Sequence, residues 1–421
     1  MKKYKETFGN ISAYLFSFVK WILLATLVGA VGGVIGSVFH ICIDYVTELR
    51  MEHTWILYLL PVGGLVITGL YMLCRFVGPI DTNRVLSAVQ SEEKVPILMI
   101  PLIFISTVIT HLVGGSAGRE GAALQLGGSI GYRIGKAVRL DSGDMHLIVM
   151  TGMSAVFSAL FGTPLTAAVF AMEVVLVGIW HYAALVPCIT AALVGFGIAR
   201  WFGILPVQFS SVVFPALSVS SGIKTAVLAL LCALIGILFC ASIQGAEHLG
   251  KKYLPNPFLR AIVGAGLVLG LTLLVGTQDY NGAGMDIISR AMEGKAFPTA
   301  FLLKILFTAI TIGAGFKGGE IVPAFFIGST FGCVVAPLLG LNPGFAAAVG
   351  FVAVFCSVVN CPVASLFLAL EVFGAEGILL FGITCAVSYM MSGRSGLYKS
   401  QRIVYSKIEE IGRAGEEAQT S

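Results

Sequence analysis

The chain has 421 residues, of which 57% are hydrophobic and 11% are charged, with a mean hydropathy of +0.93. Soluble domains carry about 25% charged residues, so this composition excludes an ordinary soluble protein. The net charge is only +4 and the sparse basic residues lie in loops, which excludes a nucleic-acid-binding surface. The sequence contains no phosphate-binding P-loop, and its scattered cysteines and histidines lack ligand spacing, so no ATP, cofactor or metal site is predicted.

Apolar runs of about 20 residues recur along the chain, and each is long enough to cross a bilayer as a helix. In chain order, clear examples are "WILLATLVGAVGGVIGSVFHI", "WILYLLPVGGLVITGLYML", "VPILMIPLIFISTVITHLV" and "IKTAVLALLCALIGILFCASI". The 51 glycines favour close helix packing and broken helices. The sequence therefore predicts an all-α, polytopic membrane protein.

Basic residues lie near both ends of the chain, in "MKKYKE" and in "GRSGLYKSQRIVYSK". By the positive-inside rule, we expect both termini in the cytoplasm and an even number of complete crossings. The first apolar run is too long for a cleaved signal peptide. These features predict a multi-pass protein of the cell membrane.

Two halves of the sequence repeat the same motifs in the same order. The glycines of "GGSIG" at 127–131 recur in "GSTFG" at 328–332, an offset of 201 (328 − 127). A Pro followed nine residues later by a Glu occurs in both halves, at an offset of 198 (362 − 164). Membrane transporters commonly contain such repeats, with the ligand site between them at broken helices.

The repeat predicts four segments. They are a cytoplasmic N-terminal segment at 1–17, transmembrane repeats at 18–205 and 206–398, and a short cytoplasmic tail at 399–421. Glu173 and Glu371, the glutamates of the Pro–Glu motifs, end apolar helices and are interpreted as structural polar contacts.

Charged residues interrupt the apolar sequence at "GREG" and "FKGGE", and charges at membrane depth are usually functional. Both segments resemble loop-to-helix junctions, where free N–H groups can hold an anion. Glu120 is the strongest candidate, because its carboxylate would compete with an anion for these donors and leave when protonated. Glu320 is expected to mirror Glu120, with Lys317 beside it. For the glycine pairs at 127–131 and 328–332 we favour helix packing over ligand binding.

The motifs resemble those of the CLC chloride channel and transporter family. "GREGA" is similar to its G-R-E-G-x motif, "GGEIVP" to its G-x-F-x-P motif, and "TPLTAAVF" to its N-x-P-L-x-x-x-x-F helix. The resemblance extends from Leu24 to Tyr398. It implies two inverted-topology repeats with broken and re-entrant helices, and a homodimer with one anion pathway per subunit.

The resemblance also implies roles for individual residues. Glu120 would be the gating glutamate, with Arg119, Gly118 and Lys317 as structural support. The anion-binding residues would be Gly121, Ala122, Glu320, Ile321 and Tyr398, with Tyr389 as the alternative to Tyr398. Asn83 is a further candidate for the anion site, taken from a segment that is unlike the family's. The backbone N–H groups around Glu120, Gly121, Glu320 and Ile321 would line the site.

Several departures from the family resemble its fluoride-transporting branch. The serine-containing G-S-G-x-P segment is replaced by "GPIDTNRVLSAV", and Val174 stands where proton-coupled chloride exchangers carry an inner glutamate. "FKGGE" also occurs in that branch, where its glutamate takes part in the proton-coupled cycle, so Glu320 inherits that role. Val322 differs from the threonine common there.

The preferred function is a proton-coupled fluoride exporter, whose partners are a small anion, protons and the lipid bilayer. A chloride channel or chloride/proton exchanger of the same fold is the alternative. A third hypothesis is an intramembrane hydrolase, because "GGSAG" matches G-x-S-x-G with Ser116 as nucleophile. The helical context and the lack of a histidine at a recognisable spacing disfavour an enzyme.

Overall fold

The computed structural model describes the backbone of residues 2–74, 82–90, 94–404 and 407, with side chains other than those of 2–11 and 13. In this part of the chain, sixteen α-helices dominate the architecture. The first eight are α1 (Lys2–Glu52), α2 (Leu60–Leu73), α3 (Thr82–Gln90), α4 (Met99–Leu112), α5 (Glu120–Ala137), α6 (Ser142–Phe161), α7 (Pro164–Glu173) and α8 (Leu185–Trp201). The second eight are α9 (Val219–Tyr253), α10 (Pro257–Val275), α11 (Met285–Met292), α12 (Ala300–Gly313), α13 (Ile321–Leu339), α14 (Pro343–Val359), α15 (Pro362–Phe373) and α16 (Ile378–Met391).

The second set of helices repeats the packing of the first. α5 packs on α6 as α13 packs on α14, and α1 packs on α8 as α9 packs on α16. The predicted two-fold repeat and the predominantly helical fold are therefore confirmed.

The two repeats run in opposite directions, as the pair α7 and α15 demonstrates. Glu173 at the end of α7 accepts hydrogen bonds from the backbone N–H groups of Val363 (3.2 Å) and Ala364 (2.8 Å) at the start of α15. Glu371 near the end of α15 accepts from the N–H groups of Leu165 (2.9 Å) and Thr166 (2.8 Å) at the start of α7. Because each helix end meets the other helix's beginning, these equivalent helices are antiparallel and the repeats are inverted.

Helix length separates full crossings from partial ones. Seven helical segments among the described residues are long and apolar enough to cross a membrane. Six shorter apolar helices have 10–17 residues, and the 10-residue α7 is only about 15 Å long, half of a bilayer core. The predicted mixture of long and broken helices is confirmed.

Glycines allow the closest helix contacts in both repeats. A methyl group on Gly127 or Gly131 would lie 2.2 Å from a carbonyl oxygen of α6, and one on Gly328 or Gly332 would lie 2.1 Å from a carbonyl oxygen of α14. No side chain fits at such distances, so packing explains both glycine pairs, as predicted.

The predicted segment boundaries stay predictions, and the helices show where each of them falls. The boundary at 205/206 lies in the loop between α8 and α9, whereas the boundary at 17/18 falls inside α1. Described residues of the predicted tail contact both repeats. Strand β2 (Arg402–Ile403) pairs in parallel with β1 (Leu176–Val177), and Lys407 donates to the Asn360 side chain at 2.5 Å. The other residues of the predicted tail, 405–406 and 408–421, lie outside the described residues.

Candidate functional site

The loops before α5 and α13 meet at a short antiparallel bridge. The N–H of Gly118 donates to the carbonyl of Gly319, and the N–H of Gly319 donates to the carbonyl of Gly118, both at 2.7 Å. α5 begins two residues after Gly118, and α13 begins two residues after Gly319. The bridge therefore brings the N-termini of both helices, with their free N–H groups, to one place.

This bridge corrects the predicted equivalence of Glu120 and Glu320. The helix α5 has Arg119 as N-cap and Glu120 as its first residue, whereas α13 has Glu320 as N-cap and Ile321 as its first residue. Glu320 is therefore the counterpart of Arg119, and Ile321 that of Glu120. The prediction was wrong by one residue because it aligned the two glutamates instead of the bridging glycines.

The bridge leaves little room for a side chain on either Gly319 or Gly118. A methyl group on Gly319 would lie 2.5 Å from the backbone nitrogen of Gly121, and one on Gly118 would lie 2.8 Å from Oε2 of Glu120. Gly118 therefore leaves space for the Glu120 carboxylate. Gly319 allows the start of α5 to approach the other repeat.

Glu120 is almost completely buried, with 1% of its surface exposed. Its Oε2 accepts a hydrogen bond of 3.0 Å from the backbone N–H of Arg119, so the carboxylate folds back onto its own helix start. The Nε of Arg119 lies 3.8 Å from Oε1 of Glu120, and its Nη1 contacts Oδ1 of Asp44 at 2.6 Å. A helix N-terminus and one cation thus face this buried carboxylate.

A cavity of about 480 Å³ lies beside this junction. Among the predicted site residues, its lining includes Asn83, Lys317, Glu320 and Tyr398. A methyl group on Gly121 would lie 3.4 Å from Oε2 of Glu320, so this carboxylate from the second repeat reaches the start of α5. The remaining predicted residues, namely Gly118, Arg119, Glu120, Gly121, Ala122 and Ile321, form the junction and are not among the described residues that line the cavity.

Cations outnumber carboxylates around the cavity. Glu247 and Glu320 contribute two negative charges, while four basic side chains give a formal balance of +2 (4 − 2). These basic residues are Lys251, Arg260, Lys317 and Lys399. A cleft with one dominant sign of charge concentrates counter-ions, so this cavity favours anions.

Tyr398 and Tyr389 differ in their surroundings. Tyr398 lines the cavity, is 5% exposed, and its buried hydroxyl has no hydrogen-bond partner among the described residues. The ring of Tyr389 instead lies 4.1 Å from the Lys407 amine. Tyr398 thus presents an unused donor at the cavity.

Thr82 is a polar cavity residue that sequence reasoning missed. Its hydroxyl accepts a hydrogen bond from the Gln125 amide at 3.1 Å and lies 3.5 Å from the carbonyl oxygen of Gly121. The neighbouring Asn83 uses its amide oxygen to accept from the N–H of Ser400 at 2.9 Å. The hydroxyl within "DTNRV" was the available signal, although residues 78–81 of that segment lie outside the described residues.

Lys317 and Ser116 occupy defined environments. The Lys317 amine lies 4.7 Å from the centre of the Tyr71 ring, a cation–π contact.

The Ser116 hydroxyl lies 3.0 Å from the Thr308 hydroxyl, and the preceding element is helix α4 instead of a strand. The geometry required for a serine nucleophile is thus absent from this described region. No group of three potential metal ligands occurs among the described residues.

Comparisons with known proteins agree with this architecture. A family model described as "Voltage gated chloride channel" matches residues 74–393. The chain belongs to this family. A relative named "Chloride/fluoride channel protein", from Pseudomonas syringae pv. tomato, is 35% identical over 92% of this chain and 87% of its own length.

Two solved structures share the fold. One, described as a CLC-type fluoride/proton antiporter, is 33% identical, with a TM-score of 0.88, and the match covers 92% of this chain and 99% of that chain. The other, a slow cyanobacterial Cl⁻/H⁺ antiporter, is 19% identical, with a TM-score of 0.76, and the match covers 88% of this chain and 94% of that chain. The family and its inverted-repeat membrane fold, expected from the motifs, are confirmed.

Proposed function

We propose that this protein is a CLC-type anion transporter that exports fluoride in exchange for protons. The observation that carries the proposal is the buried Glu120 carboxylate at the start of α5, where both repeats meet beside an anion-favouring cavity. The relatives named as a chloride/fluoride channel and a fluoride/proton antiporter support the same substrates.

The anion site in this proposal consists of helix N-termini and hydroxyl groups. Backbone N–H groups of Gly121, Ala122 and Ile321 lie in the first turns of α5 and α13, where they have no helical acceptor. Tyr398 supplies its unused hydroxyl, and Asn83 lies beside the Thr82 hydroxyl at the cavity wall. Fluoride is small and strongly hydrated, so many short N–H and O–H donors must replace its water shell.

Glu120 acts as gate and proton carrier. The ionised carboxylate holds the α5 N-terminus that an anion would otherwise use, and protonation removes the charge that keeps it there. Glu320 takes part in the proton cycle because its carboxylate reaches the start of α5. Arg119, Gly118 and Lys317 support these groups without binding the anion.

The assembly and location follow the same proposal. The protein is a homodimer in the cell membrane, with one anion pathway per subunit and both termini in the cytoplasm. Proton entry then drives fluoride out of the cell. No nucleic-acid partner, enzymatic reaction or cofactor forms part of this function.

Ion flux from proteoliposomes tests the proposal. A fluoride electrode and a chloride electrode follow anion efflux, while a pH-sensitive dye follows protons. We expect wild-type protein to release fluoride faster than chloride with coupled proton uptake, and Glu120→Gln to lose the proton movement. Glu293→Gln, in the exposed ion pair with Lys295, is the matched control and should behave as wild type.

Four other outcomes have defined meanings. Chloride efflux equal to or faster than fluoride efflux would favour the chloride exchanger of the same fold. Fluoride efflux without proton movement would identify a channel. Retention of full coupling in Glu120→Gln would remove the assigned gate, whereas loss of coupling in Glu320→Gln would support its place in the proton cycle.

A further inference from the structure

Arg119 lies between two carboxylates but donates a hydrogen bond to only one of them. Its Nη1 contacts Oδ1 of Asp44 at 2.6 Å, whereas its Nε remains 3.8 Å from Oε1 of Glu120. The first distance is a charge-assisted hydrogen bond, and the second is too long for one. Asp44, on α1, therefore holds the guanidinium that is adjacent in sequence to Glu120.

His40 holds Asp44 from the other side. Its Nε2 lies 2.9 Å from Oδ2 of Asp44, and its Nδ1 lies 3.2 Å from the carbonyl oxygen of Leu160 on α6. A carbonyl oxygen and a carboxylate are both hydrogen-bond acceptors, so the His40 ring links Asp44 on α1 to the backbone of α6. The four side chains form a series of contacts, from His40 through Asp44 and Arg119 to Glu120.

This series extends from the surface to the buried gate. The exposed fraction of the side chain is 50% for Asp44 and 13% for Arg119, but only 2% for Glu120. The elements packed around Asp44 also bring His111, at the end of α4, within electrostatic range of Arg119. Asp44 is thus the exposed member of a charge network that ends at Glu120.

We propose that Asp44, held by His40, is a positioning residue that binds the Arg119 guanidinium and offsets its charge beside Glu120, and so sets the pH at which Glu120 takes up its proton. A cation within about 4–6 Å of a carboxylate favours its ionised form. Arg119 already lies within that distance of Glu120, but Asp44 takes its Nη1 hydrogen bond and offsets its charge. Without Asp44, the full charge of Arg119 acts on Glu120 and the gate stays ionised to lower pH. The inference rests on the proposed function, since it assigns a control to the same gate.

The test is the pH dependence of fluoride efflux from proteoliposomes containing full-length protein. We expect Asp44→Asn to shift the half-maximal pH by about one unit towards acid, and Asp44→Glu to restore it. His40→Gln loosens the contact that holds Asp44 in place, so we expect a smaller shift in the same, acid direction. Asp144→Asn is the matched control, because Asp144 also binds a cation of α1, Lys20, and should leave the profile unchanged.

Infrared titration of the protonated carboxyl band, assigned by its loss in Glu120→Gln, gives a readout that does not require transport. A lower rate in Asp44→Asn with an unchanged pH profile and an unchanged infrared titration would overturn the inference and leave Asp44 a structural residue. Absence of fluoride efflux in wild type would overturn the proposed function instead. In that case, the shift of the infrared titration in Asp44→Asn still decides the role of Asp44.

Discussion

The starts of α5 and α13 share a backbone but differ in chemistry. Their N-cap residues have similar dihedral angles, with φ −114° and ψ −15° for Arg119, and φ −95° and ψ −10° for Glu320. The first helical residue is the charged Glu120 in one repeat and the apolar Ile321 in the other. Both repeats thus have the same backbone that presents free N–H groups. Only α5 has a carboxylate, that of Glu120, at its first helical position.

The other cross-repeat contact shows the opposite behaviour. Glu173 and Glu371 perform the same task at the two ends of the α7–α15 pair, and each binds the N-terminus of the opposing helix. Symmetric side-chain chemistry therefore marks the α7–α15 contact between the repeats. Asymmetric chemistry marks the junction at Gly118 and Gly319, to which we assign the function.

The largest effect is expected from breaking that junction at Gly319. In Gly319→Ala, the new methyl group would lie 2.5 Å from the backbone nitrogen of Gly121, which cannot move independently of α5. We expect poor folding or a loss of flux of more than about 100-fold, since overpacking at one site costs roughly 1–3 kcal/mol or more. Size-exclusion chromatography and fluoride efflux measure both outcomes.

Gly118→Ala tests the other glycine of the junction, because its methyl group would lie 2.8 Å from the end of the Glu120 side chain. We expect this variant to fold and to show altered gating. Gly266→Ala, on α10 with no atom within 4 Å of the new methyl group, is the control. Wild-type flux in Gly319→Ala would show that the two helix starts do not need this close approach.

The sequence predicted the architecture well because its signals are local and repeated. Apolar runs, the glycine spacing and the Pro–Glu motifs each indicate one helix or one helix contact, and the family motifs placed Glu120 at a helix start. The one-residue error for Glu320 has a different cause. The offset of 201 residues between the glycine motifs already pairs Gly118 with Gly319, but the interpretation matched the two glutamates by their chemistry instead.

A moderate effect is expected from removing the symmetric caps. Glu173→Gln places an amide N–H group against backbone N–H donors, so we expect a loss of about 2 kcal/mol in the free energy of unfolding. Glu371→Gln should cost less, because Glu371 is half-buried whereas Glu173 is 5% exposed. Thermal unfolding in detergent measures both, with the exposed Glu293→Gln as reference. Equal and negligible shifts would show that these carboxylates do not stabilise the repeat interface.

Side-chain interactions between distant segments were the part of the site that sequence reasoning missed. Asp44 and His40 are four residues apart on α1, a spacing that indicates a shared helix face. Their partner Arg119 is 75 residues beyond Asp44. The contact of Asn83 with Ser400 likewise spans 317 residues. Such contacts depend on how the helices pack, so they become visible only in the folded protein.

The smallest effect is expected at Tyr398, and it distinguishes an anion contact from a structural one. Because its hydroxyl has no partner among the described residues, Tyr398→Phe should change the free energy of unfolding by less than about 0.5 kcal/mol. Loss of one hydrogen bond to an anion costs about 1.5 kcal/mol, so we expect about tenfold weaker apparent fluoride affinity in efflux assays. Tyr389→Phe is the matched control and should keep wild-type affinity. Weaker affinity in Tyr389→Phe alone would transfer the anion contact to that tyrosine, whereas lower stability in Tyr398→Phe with unchanged affinity would make its hydroxyl part of the protein's packing.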